Sequence, residues 1–213
     1  MRRLILLRPE PGLSASARRA EAIGLAVVRH PLFEVEPLPA ELPDGPFDAL
    51  VLTSANAVRY AGPLLRAVKN LPTYTVGTAT AAAATNAALR VVAVGTGGVE
   101  GLQLPPGRLL HLCGESHKSL PGDVVAVPVY RTLPIGDPLP PLDGAVIAVH
   151  SPEAGSRLDA LAGLDRSTAA IAAISPVAAD ACGQGWASVE SASAPDDQSL
   201  LALAAALCQS GAP

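Results

Sequence analysis

The chain has 213 residues, 49% of them apolar, and 15 basic against 19 acidic side chains leave a net charge of −4. That is ample for a globular core. It leaves no basic stripe to follow a phosphate backbone, and 3% aromatic content offers no base-stacking platform, so general nucleic-acid binding is excluded.

Short runs rich in Val, Ile and Leu alternate with Ala-rich stretches, the signature of strands buried on both faces between crossover helices. In chain order the pattern predicts strands near 3–7, 27–37, 48–53, 73–77 and 91–94, with helices near 12–24, 55–69, 79–88 and 99–103. It then predicts strands near 108–113, 123–132, 144–150, 170–174 and 187–191, with helices near 153–162, 177–184 and 196–209. The second series repeats the first. Phe47-Asp48-Ala49-Leu50-Val51-Leu52-Thr53-Ser54 is echoed by Asp143-Gly144-Ala145-Val146-Ile147-Ala148-Val149-His150-Ser151, and Ser54 to Ser151 is 97 positions (151 − 54). Pro31-Leu32-Phe33 likewise returns as Pro128-Val129-Tyr130, and Leu4-Ile5-Leu6-Leu7 as Leu109-Leu110-His111-Leu112. A period near a hundred residues is too long for a solenoid, so each copy amounts to one small domain with a core of its own. Two such domains imply a cleft. The second copy is shortened between its first two strands, where Glu115 to Gly122 leaves room for a turn rather than a helix.

Two matched segments, 27–38 and 124–133, are extended and punctuated by proline. They read either as edge strands or as a two-stranded linker. In the second case the domains are built by exchange: 1–34 with 133–213 as one, 36–125 as the other. The repeat alone is compatible with that and with two sequential domains.

No Walker loop, strand-linked GxGxxG, HExxH or GxSxG is present. Cys113, Cys182 and Cys208 lack CxxC spacing and read as buried thiols rather than a disulfide framework or a zinc site. His111 and His150 lie in apolar runs and read as neutral structural histidines, and Trp186 as ordinary packing. No metal and no cofactor is expected. The apolar start stops at Arg8-Pro9, and the Ala81 to Ala93 stretch is broken by Asn86 and Arg90. Neither a secretion signal nor a membrane span is expected, which suggests a cytoplasmic protein.

Polar residues gather at strand ends: Arg8, Ser54 with Asn56, Gly77 with Thr78 and Thr80, Ser151, and Ser175. Open parallel sheets bind ligands beyond the carboxyl ends of their strands, where helix N-termini present unpaired N–H groups. Recurrence in both copies points to a polyanionic ligand. Each residue taken singly also reads as a helix N-cap. Arg59, Arg131, His117 and Lys118 are supplementary cations. Tyr130 stands where the first copy has Phe33, so the second linker carries a phenol able to donate a hydrogen bond to a leaving hydroxyl.

In order and spacing, Leu7-Arg8-Pro9-Glu10, Phe47 to Val58, Val76-Gly77-Thr78-Ala79-Thr80-Ala81, Val127-Pro128-Val129-Tyr130-Arg131-Thr132 and Ser151-Pro152 resemble the uroporphyrinogen-III synthase family. The resemblance implies two similar α/β domains, with parallel sheets flanked by helices, joined by a two-stranded linker, and so selects the exchanged topology. It implies a monomer that closes hydroxymethylbilane, without cofactor, to uroporphyrinogen III with ring D inverted. Tyr130 then matches the tyrosine that assists departure of the hydroxyl, and Thr80 and Ser151 match polar residues that meet the substrate. Where the family commonly has a Gly-Pro-Thr-Thr-like turn, this chain has Ser175-Pro176-Val177-Ala178, and no arginine follows Gly114, with His117 or Lys118 as its substitute. The alternative is a two-domain clamp that binds an anionic small molecule without chemistry.

Overall fold

The structure, a computed structural model, describes residues 1–96 and 98–210. Its strands in chain order are β1 (Leu4–Leu6), β2 (Val27–Arg29), β3 (Phe33–Pro37), β4 (Ala49–Leu52), β5 (Pro72–Val76), β6 (Arg90–Gly95), β7 (Leu109–Gly114), β8 (Val124–Pro134), β9 (Val146–Val149), β10 (Ala170–Ala173) and β11 (Ser188–Ser191). The helices are α1 (Gly12–Ala22), α2 (Ala55–Tyr60), α3 (Pro63–Val68), α4 (Thr78–Asn86), α5 (Pro152–Leu161), α6 (Pro176–Asp180) and α7 (Asp197–Ser210). Among the described residues no helix is long and apolar enough to cross a membrane. The chain divides into two compact units: Met1–Glu34 with the residues from Pro134 on, and Val35–Leu133.

The first unit holds a sheet of order β11-β10-β9-β1-β2 with parallel pairings. Its central strands are apolar throughout because both faces are covered. Alternation sends Ile5, Ile147 and Ile171 to one face, against Ala154 and Leu158 of α5 and Ala178 of α6. Leu4, Leu6 and Val146 go to the other, against Leu13, Ala17 and Ala20 of α1 and Leu200, Leu201 and Ala204 of α7. Trp186 is an ordinary core residue whose Nε1 donates to the Cys182 carbonyl at 2.8 Å.

The second unit holds the order β3-β8-β7-β4-β5-β6. Leu50, Leu52, Leu110 and Leu112 pack under α2, α3 and α4. The opposite face, built on Ala49, Val51 and Leu109, is closed by Leu102, Leu104 and Leu120 from turns, because Glu115 to Gly122 forms no helix.

The duplication is visible in the pairing. β1 pairs with β9, Leu4 opposite Val146, and its copy β7 pairs with β4, Leu109 opposite Ala49. Each sheet therefore joins the leading strands of one copy to the trailing strands of the other. The chain passes between the units within β3 and at the end of β8, which are hydrogen-bonded neighbours.

Three expectations are corrected. The single strand over 27–37 is two, since β2 belongs to the first sheet and β3 to the second. The helix over 55–69 is broken by Gly62, at φ 51°, followed by Pro63, a conformation and a residue that cannot continue a helix. The helix over 99–103 is one 3₁₀ turn, Val99–Gly101, and a further such turn, Leu164–Thr168, was not anticipated.

Candidate active site

In the second unit, the carboxyl ends of β4 and β7 and the middle of β8 meet at one cavity of about 220 Å³, lined by Thr53, Ser54, Val99, Gly114, Ser116, His117, Lys118 and Tyr130. Tyr130 is placed by β8, its backbone carbonyl accepting from the Glu115 N–H at 2.8 Å, and its ring packs against Tyr60 with centroids 6.1 Å apart. Its counterpart Phe33 instead enters the core of the first unit. His117 is held by Nδ1 against the Gly114 carbonyl at 3.0 Å. Both proposed substitutes for the missing arginine, His117 and Lys118, thus reach the cavity that Tyr130 lines.

Ser54 caps α2, its Oγ accepting from the Asn56 N–H at 3.1 Å, while the Asn56 Oδ1 accepts from Arg59 at 2.8 Å. The start of α4 differs. Gly77, at φ 79° and ψ 149°, precedes it with no side-chain cap, so its first amides are not taken by a capping oxygen. Thr78 is exposed at that end, whereas Thr80 is buried at 5% exposure. Arg131 is paired with Glu36 at 2.9 Å and is not among the residues lining this cavity.

In the first unit, Ser151 caps α5 by accepting from the Ala154 N–H at 3.1 Å, and Ser175 caps α6 by accepting from the Ala178 N–H at 3.3 Å. The Ala178 amide is therefore already used. The start of α1 is filled by its own carboxylate, Glu10, which accepts from the N–H and hydroxyl of Ser14. Arg8 crosses Gly12 and reaches the Ser16 hydroxyl at 3.0 Å and Asp197 at 3.1 Å.

Asp197, at the start of α7, also accepts from Ser16, from Arg19 at 2.7 Å and from His150 Nε2 at 2.9 Å. Burial would raise its carboxyl, but the hydrogen bonds from His150, Ser16 and Arg19 outweigh burial and hold it well below the usual carboxylate range. Burial keeps His150 below its ordinary value despite Asp197, so the ring is neutral at pH 7 and meets Asp197 as an N–H donor rather than as a cation.

His111 is likewise buried and neutral, pushed down to about 4 by burial and by the nearby His117. Its Nε2 lies 3.1 Å from Thr53 Oγ1. The three cysteines are free and buried, with burial pushing Cys113 and Cys182 up to about 11. A larger hollow between β11 and α7, about 590 Å³, carries Asp196 as its one charged side chain, the wrong sign for an anionic ligand.

The sequence did not reveal Thr53, Ser116, Gly114 or Asp197. Thr53 was masked by its neighbour Ser54, the better capping residue. Gly114 carried a signal, since a glycine closing a strand marks a close approach. Asp197 carried none, because its partner Arg8 is 189 positions away.

The family model of the uroporphyrinogen-III synthase HemD, HEM4, matches residues 14–202. Among curated proteins none matches. The structure is similar to that of a uroporphyrinogen-III synthetase from Helicobacter pylori, with a TM-score of 0.70 at 18% identity over 97% of this chain and 100% of the other. It is also similar to a mutant uroporphyrinogen III synthase from Thermus thermophilus, with a TM-score of 0.59 at 19% identity over 98% of this chain and 99% of the other. At such identities the structural likeness carries the fold.

Proposed function

Because the chain belongs to the uroporphyrinogen-III synthase family, we propose that it converts hydroxymethylbilane to uroporphyrinogen III, losing water and inverting ring D. The family match over residues 14–202 is the observation that carries this reading. The bilane bears eight carboxylates and already contains its leaving hydroxyl and its nucleophilic pyrrole. The protein then has to orient ring D and exclude the conformer that closes without inversion, so catalysis is chiefly positioning.

The local chemistry of each unit supports that division of labour. In the second unit, Tyr130 hydrogen-bonds the departing hydroxyl. The phenol assists as a hydrogen-bond donor without giving up its proton in full. Lys118, His117, Ser116, Thr53 and Ser54 around it supply a cation and hydroxyls for carboxylate arms, and the uncapped start of α4 at Gly77 and Thr78 adds backbone amides. In the first unit, Arg8, Ser151 and Ser175 offer a second set of donors, with Arg8 restrained by Asp197 and Ser16. Ser54 also caps the start of α2, and Asn56 restrains Arg59. The enzyme acts as a monomer and needs no cofactor.

The reading is tested by following loss of freshly made hydroxymethylbilane in chelator-treated buffer. Consumption that is proportional to protein and saturates with substrate is expected. A rate equal to that of the protein-free control rejects it.

A further inference from the structure

Leu109, Leu110, Leu112, Cys113 and Gly114 of β7 are apolar and buried, and His111 among them is equally buried, at 1% exposure. An imidazole in such a place costs free energy unless its nitrogens are bonded. The other half of the molecule shows that the fold does not require one. The copy of His111 is Leu6, 0% exposed and facing Ala148 in β9, as His111 faces Val51 in β4.

What His111 touches is the cavity wall. Its Nε2 lies 3.1 Å from the Thr53 hydroxyl, and its ring meets that of His117 edge to face, with centroids 5.7 Å apart and planes at 83°. Thr53 and His117 both line the cavity that contains Tyr130. When Nε2 carries the proton it donates to Thr53 Oγ1, which leaves the threonine O–H for an acceptor in the cavity, as a carboxylated ligand requires.

We propose that His111 is a positioning residue for the cyclisation: its Nε2–H holds the Thr53 hydroxyl as a donor and its ring holds the His117 imidazole in place, both presented to a carboxylate arm of the substrate. The inference rests on the synthase reading for its substrate, and on the geometry of Thr53, His111 and His117 for everything else.

The test compares H111L, which copies Leu6, with H111Q, which keeps a terminal N–H donor, and with T53V and the double variant T53V/H111L. H111L is expected to keep or raise thermal stability and to lower kcat/KM for hydroxymethylbilane about tenfold, the loss of one hydrogen bond. H111Q should recover the share that acts through Thr53, and the loss in the double variant should fall short of the sum of the two single losses, because part of what His111 does passes through Thr53. Wild-type kcat/KM in H111L, or additive losses in the double variant, overturns the proposal. If the wild type itself does not consume hydroxymethylbilane, the synthase reading fails alone, and imidazole ¹⁵N spectra decide the positioning. An Nε2–H tautomer at His111, with His117 resonances that shift in H111L, upholds it. An Nδ1–H tautomer, or unmoved His117 resonances, overturns it.

Discussion

The phenol of Tyr130 lies over the bare Cα of Gly114: a Cβ built at residue 114 would stand 2.8 Å from Tyr130 Cζ and 2.9 Å from its Cε2 and Oη. No real side chain tolerates such distances, so glycine at the end of β7 is what lets the ring reach the cavity. G114A should displace the phenol while leaving the sheet intact. A shift near 1 Å in a positioned group can cost about 10²-fold in rate, and Y130F removes the donor outright. Both variants should therefore lose roughly 10- to 100-fold in kcat with KM little changed, as steady-state kinetics would show. Wild-type turnover in either variant removes Tyr130 from the reaction.

Asp197 makes the first unit acid-sensitive. Its carboxyl titrates below the ordinary range when folded, so the stability it contributes is present above the unfolded carboxylate value, near ~4, and is lost as pH falls further. His150 adds to this: because burial lowers its folded value, the unfolded chain takes up the proton first and stability begins to fall below about pH 6.5. D197N should cost on the order of 2 kcal/mol at pH 7, the loss of a charged acceptor, and flatten the slope below pH 4. Trp186, the single tryptophan, is buried in this unit and reports the transition by fluorescence. An unchanged acid slope in D197N contradicts the assignment.

Gly77 occupies φ 79° and ψ 149° with nothing within 4 Å of an added Cβ, so any penalty for a side chain there is conformational and not steric. That region is essentially restricted to glycine, at ~1–3 kcal/mol for other residues. G77A and G77N should both lower the unfolding free energy by that amount, read as a lower denaturant midpoint at unchanged m, since asparagine's tolerance of the left-handed helical region gives no relief at this ψ. A G77N midpoint equal to that of the wild type would show that the backbone relaxes.

Much of this was legible because duplication and two-residue alternation are local signals. Ser54 and Ser151 announce equivalent strand–helix junctions, and the shortened span from Glu115 to Gly122 announces the missing helix. The break at Gly62-Pro63 was equally legible but was overridden by the apolar periodicity on either side of it. What could not be read are contacts that close only on folding. Arg8 to Asp197, Thr53 to His111 and Tyr130 over Gly114 depend on which strands become neighbours, and the pairing of β1 with β9 rather than with β4 has no signature in either strand alone. Arg8 and Thr80 show the consequence. Neither the brace that Asp197 puts on the first nor the burial of the second has a local signature.

The most direct measurement is the isomer composition of the product formed from hydroxymethylbilane. The bilane closes by itself to isomer I, so the protein is needed only for inversion of ring D. Incubation with the wild-type protein, oxidation and chromatographic separation should give predominantly uroporphyrin III. Uroporphyrin I alone, at the proportion found without protein, would contradict the account.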